Sequence, residues 1–87
     1  MARCDKLLEK AKNAPHNLRF EDLCKLAECY GWVAARHHRT SHRIYFNPNF
    51  PDRDGAMMNF QDRGGKAKPT QVKQLLDAIA QIKENSE

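Results

Sequence analysis

The chain is poor in cysteine: it has three in 87 residues, Cys4, Cys24 and Cys29, and no C-x-x-C pair. An odd count without paired spacing argues against a disulfide framework and against a structural zinc site. Reduced, packed thiols in a cytoplasmic protein are the expectation. Apolar runs never exceed a few residues, and Arg3, Asp5 and Lys6 make the start polar. Neither a secretory signal nor a membrane span is therefore expected. Internal repeats and low-complexity stretches are missing too. Length sets a further limit, because a domain this small buries only roughly 60% of its unfolded surface. A large internal substrate cavity does not fit in so thin a core, so any site belongs on a face or in a groove.

Positive charge is the clearest surplus. Lys plus Arg total 15 against 11 Asp plus Glu, a net charge of +4. That balance suits an anionic partner, either nucleic acid or an acidic protein, although many ordinary domains carry as much.

Periodicity predicts the elements. Leu7, Leu8 and Ala11 share one face of a short helix over 3–13, which Pro15 ends. Phe20, Leu23, Leu26, Ala27 and Tyr30 mark a second helix over 20–30, with Glu21 and Asp22 in its first turn and Gly31 as its stop. The period then changes. Strands are predicted over 31–36 and 42–47, joined by a polar turn over 37–41, and a third over 56–61 with Met58 and Phe60 on one side. Residues 47–55 are dense in turn formers, and 62–68 read as a Gly-Gly loop. Pro69 opens the last helix, whose stripe is Val72, Leu75, Leu76, Ile79 and Ile82. The order is α-α-β-β-β-α, an α+β domain with helices on one face of a three-stranded antiparallel sheet.

Chemistry concentrates at the predicted hairpin turn. Arg36-His37-His38-Arg39-Thr40-Ser41-His42-Arg43 holds three histidines and three arginines within eight residues. Arginine grips phosphate with paired donors, and histidine moves protons near neutral pH. RNA carries its own nucleophile, the 2′-hydroxyl, so one base plus nearby cations makes a minimal ribonuclease. Spacing alone slightly favours the plainer reading, a solvated basic turn. No carboxylate in this segment completes a metal site, and none is expected. His16 is isolated and reads as a surface or capping residue.

Two other motifs fail on inspection. Asp52-Arg53-Asp54-Gly55 lacks the remaining ligands of a calcium loop. Gly64-Gly65-Lys66 lacks the earlier glycine of a P-loop and has Ala67 where Ser or Thr is needed. The segment from Arg63 through Lys66 and Lys68 is still a cationic loop running into a helix N-terminus, where a phosphate can bind. The plain alternative is a loop and cap with solvated lysines. Trp32 and Tyr45 can stack on bases or pack in the core. Cys24 and Cys29 read as packing residues.

In order along the chain, Tyr30-Gly31-Trp32, Arg36, Thr40-Ser41-His42-Arg43-Ile44-Tyr45-Phe46-Asn47-Pro48 and Lys68-Pro69-Thr70 resemble the motifs of the HicA family, the toxin half of bacterial toxin–antitoxin pairs. The match runs over 20–82. Thr40 stands where the family has glycine, Arg43 where a second histidine often follows, and Met58-Asn59-Phe60-Gln61 where many members carry a proline–histidine segment. The resemblance implies a single domain, with 1–18 as an N-terminal helical extension and 19–83 as a core folded like a double-stranded-RNA-binding domain. It implies metal-independent mRNA cleavage with no cofactor, His42 as the catalytic residue, and a HicB-like antitoxin as protein partner. Arg36, Arg39, Ser41, Arg43, Lys66 and Lys68 are the expected RNA-binding residues. Two readings stand beside it: an RNA-binding module without catalysis, and an interaction domain whose basic surface meets an acidic antitoxin.

The strand parity carries one more expectation. His42 shares strand parity with Ile44 and Phe46, the more apolar side. If that parity held, His42 would face the helices, and it is expected to escape at the strand end.

Overall fold

A computed structural model describes residues 2–36, 42–50 and 57–85, with the backbone alone at 2, 3, 35, 36, 42, 84 and 85. The elements are α1 (Ala2–Asn13), α2 (Phe20–Cys29), β1 (Val33–Arg36), β2 (His42–Phe46), β3 (Met57–Arg63), β4 (Lys66–Ala67) and α3 (Pro69–Asn85). The predicted turn over 37–41 and the 51–55 part of the predicted loop lie outside the described residues.

Each helix forms where one face can be buried. On α1, Leu8 and Ala11 are buried and Leu7 partly so. On α2, the buried side is Phe20, Leu23, Cys24, Leu26 and Ala27. On α3 it is Val72, Leu75, Ala78 and Ile79, with Leu76 and Ile82 at its margin. The chain leaves α2 through a paired C-terminal cap. Gly31 N–H donates to Glu28 O at 3.3 Å, and Trp32 N–H donates to Ala27 O at 3.1 Å. This closure needs a positive φ at Gly31, which has 103°.

Asn47, 3% exposed, is held against this cap. Its Nδ2 donates to Tyr30 O at 3.2 Å, and its Oδ1 accepts from Asn49 N–H at 3.0 Å. A Cβ on Gly31 would sit 3.2 Å from Asn47 Nδ2. Gly31→Ala therefore combines backbone strain with displacement of a buried amide. The expected loss is about 1–3 kcal/mol, read from urea unfolding.

The sheet is antiparallel in the order β1-β2-β3-β4. β1 pairs Val33 with Phe46 and Ala34 with Tyr45. It then skips to Arg36 with Ile44, leaving one extra residue on β1 as a bulge. β2 and β3 pair without interruption from His42–Gln61 to Phe46–Met57. The fourth strand replaces part of the expected 62–68 loop. Gly64 (φ 63°) and Gly65 (φ 90°) form a two-residue turn with both central residues at positive φ. Such a turn matches the twist of a hairpin, so β3 runs on to Arg63 and returns as β4. Residues 18–20 then border β4: Ala67 N–H donates to Leu18 O and Phe20 N–H to Gly65 O.

The helices cover one face of the sheet. Tyr45, Met58, Phe60 and Ala67 point into the core beneath them, joined by Trp32 and Phe50. The Trp32 and Phe50 rings lie 5.6 Å apart, and Tyr45 and Phe60 5.4 Å. This corrects the expectation that the Ile44–Phe46 side of β2 faces the helices. Tyr45 takes the core side because its partner across the register is buried Met58, so Ile44 and Phe46 fall on the open face.

The thiol reading is also corrected. Cys4 and Cys29 are joined as a disulfide, with Cα atoms 6.0 Å apart, and Cys24 is the free, buried thiol. Helix packing brings the first turn of α1 to the last residue of α2, a juxtaposition that spacing along the chain does not reveal. Disulfides persist in oxidising compartments, so the thiol argument for a cytoplasmic protein no longer holds. Among the described residues, no helix is long and apolar enough to cross a membrane.

Candidate nucleic-acid interface

The open face of the sheet is organised in cross-strand rows. At one end Val33, Phe46 and Met57 lie side by side on three strands, 55%, 39% and 56% exposed. The next row holds position 36, half-buried Ile44 and exposed Asn59. Position 42 opposite Gln61 follows, and the exposed Arg63–Lys66 pair ends the series. The face thus passes from apolar through amide to cationic along about 20 Å of β3. None of these ten positions is an Asp or Glu.

Beyond Arg63 and Lys66 the surface dips into a pocket of about 250 Å³, lined by His16, Arg63, Lys66, Ala67 and Pro69. His16 comes from the α1–α2 connection, and Pro69 opens α3. Lys68 O accepts from Gln71 N–H at 2.9 Å and Val72 N–H at 3.1 Å, which starts the helix at this pocket. Cations beside a helix N-terminus suit a phosphate. Of the expected RNA-binding residues, Lys66 is exposed here and Lys68 half-buried one residue before α3. Sequence reasoning missed His16 as part of this cluster, because its partners come from β3 and β4.

Arg43 lies on the other side of the sheet. Its guanidinium sits 5.4 Å over the Phe20 ring. It also lines a pocket of about 270 Å³ with Glu21, Cys24, Lys25, Glu28 and Tyr45. Hydrogen bonding to Tyr45 raises the Arg43 pKa further above its ordinary value. Burial raises the Tyr45 hydroxyl, which donates to Glu28 Oε2 at 3.3 Å. Adjacent residues on a strand alternate faces, so Arg43 does not share a row with position 42. Arg39 and Ser41 lie outside the described residues, and Arg36 and His42 are described by backbone alone. Trp32 and Tyr45, weighed as stacking residues, are 1% and 2% exposed. The exposed ring of the sheet is Phe46.

The chain matches no known family model, no curated protein and no solved structure. The functional reading therefore rests on the residues themselves and on the sequence resemblance.

Cys24 lines the Arg43 pocket, but burial raises its thiol pKa and outweighs the opposing effects of Tyr45 and Arg43. A thiol held protonated is a poor nucleophile. With Cys4 and Cys29 paired, a thiol reagent at neutral pH is expected to modify no cysteine in the native protein. In denaturant without reductant it should find one. Three reactive thiols there would show that the pair is open.

Proposed function

We propose that this is an RNA-binding domain of the HicA-like kind, a metal-independent endoribonuclease with His42 as its general base. The observation that supports this reading is the sheet register. Position 42 falls in an open-face row opposite Gln61, next to the Arg63–Lys66 pair, in a series of ten paired positions that includes no Asp or Glu. The element order α2-β1-β2-β3-β4-α3 is compatible with a core like a double-stranded-RNA-binding domain, extended by β4 and preceded by α1.

In this mechanism the His42 imidazole takes the proton of a 2′-hydroxyl. The freed oxygen attacks the adjacent phosphorus, the P–O5′ bond breaks, and the departing 5′-oxygen takes a proton from water, to which the His42 imidazolium returns the one it took. The products are a 2′,3′-cyclic phosphate and a 5′-hydroxyl, and no external oxidant or metal is needed. Arg63 and Lys66 on this face offset the growing charge on the phosphorane, and Arg36 and Arg39 are the sequence's further candidates for that role. Arg43, on the helix side, is left out of this set, and Ser41 is assigned to RNA contact. mRNA as substrate implies a cytoplasmic site of action, and a HicB-like antitoxin is the protein partner that co-purification would reveal. An RNA cleavage assay in EDTA, comparing wild type with His42→Ala, tests the proposal.

A further inference from the structure

We infer that the open sheet face is a platform for unpaired RNA, with one base stacked on Phe46 and the backbone led toward Arg63 and Lys66. This rests on the RNA-binding reading above and adds the substrate class, single strand rather than duplex.

Three observations carry it. First, Phe46 is 39% exposed in the middle of a row, with Val33 and Met57 on the flanking strands. Three neighbouring strands give that row a width of about 10 Å. The other rings of the sheet region, Trp32, Tyr45 and Phe60, are buried, so leaving this one out is specific to its position. A bare ring flanked by apolar side chains accepts the face of any base, whereas duplex bases are already paired and stacked. Second, the rows beyond it present Asn59 and Gln61. Their amides hold both donors and acceptors, which is what base edges require. Third, the gradient ends in Arg63 and Lys66, with no carboxylate on the way. The sign and direction of that charge match a polyanion that lays its bases at one end and its phosphates at the other.

A second copy of the chain fits less well. Val33, Phe46 and Met57 are each already partly covered. Three part-exposed side chains fall well short of the roughly 800 Å² per partner that a stable interface buries. An acidic protein would meet Arg63 and Lys66 but has no need of a planar ring between two aliphatic side chains.

The test uses the whole chain and a labelled single-stranded octamer of 2′-O-methyl RNA, which lacks the nucleophile and so survives binding. The same sequence as a duplex is the comparison. The single strand is expected to bind more tightly than the duplex. Phe46→Ala and Phe46→Leu should each weaken single-strand binding about tenfold, and Phe46→Leu should leave the urea midpoint unchanged. Phe46→Leu keeps apolar bulk and removes only the stacking surface. Lys66→Gln should flatten the dependence of binding on salt, as expected for the loss of one phosphate contact.

Single-strand binding that ignores both Phe46 variants would overturn the platform and leave the RNA-binding reading intact. Equal or tighter binding of the duplex would do the same. Binding of neither RNA would overturn both. A wild-type dimer that Phe46→Ala dissociates in sedimentation would reassign the face to self-association.

Discussion

Cleavage of RNA in EDTA by the wild-type chain, and its loss by at least ~100-fold in His42→Ala, is the expected result of the assay proposed above. The size follows from the role. A positioned general base contributes roughly 10²–10⁴-fold, and no second histidine stands in the position after His42, where Arg43 occurs instead. Truncating a residue at the start of β2 leaves the β2–β3 pairing from Arg43–Phe60 to Phe46–Met57 in place. The variant should therefore keep the wild-type urea midpoint and its affinity for the uncleavable octamer. Chelator matters because it separates this chemistry from a two-metal nuclease contaminant. Detecting the 2′,3′-cyclic phosphate identifies internal attack, since hydrolysis by water gives a linear end. Arg43→Gln serves as a contrast. With its guanidinium over Phe20 and beside Tyr45, it should cost stability before it costs cleavage. If antitoxin-free, folded wild type binds RNA and cleaves none, the domain is the non-catalytic module. If His42→Ala cleaves as well as wild type, His42 is not the base.

The same residues show what the sequence could and could not reveal. The α3 stripe was legible because a 3.6-residue period buries one face, and Val72, Leu75 and Ile79 are buried as the spacing predicts. Gly31 was legible as a stop because few other residues accept a φ of 103°. The faces of β2 were not. Ile44, Tyr45 and Phe46 are all apolar, so alternation gives two classes but not which one is inside. Met58 and Phe60 on β3 decide that, through a register set by tertiary pairing. The consequence falls on function, because the same one-residue choice moves position 42 from the helix side to the open face and moves Arg43 the other way. The Gly64-Gly65 turn has the composition of a loop, although two glycines between Arg63 and Lys66 also satisfy a tight hairpin. The His16 pocket depends on three segments meeting and leaves no local signal.

Reduction of Cys4–Cys29 is expected to lower stability by about 3.5 kcal/mol, the loop-closure value for a separation of 25 residues. For a domain of this size, whose total stability is on the order of 4–13 kcal/mol, that is a large fraction. The corresponding fall in Tm is roughly 15–25 °C. The other ties between α1 and the body explain why the bond matters. Leu8 and Ala11 are buried against the core, but among the described side chains α1 offers only these two and part of Leu7. The surface pair Lys10 Nζ–Asp22 Oδ2, at 3.0 Å, has its lysine half exposed and contributes less than about 1 kcal/mol. Thermal melts with and without reductant, alongside Cys4→Ser, measure the effect. Cys4→Ser should melt like the reduced wild type and be indifferent to reductant. A wild type whose melt does not respond to reductant would show that the bond contributes nothing to α1 docking. A reduced protein that keeps its RNA affinity while losing stability would place the interface wholly in the β-sheet and the start of α3, with α1 as a redox-sensitive brace. That outcome is expected, because of the pocket and rows described above only His16 comes from the segment that joins α1 to α2.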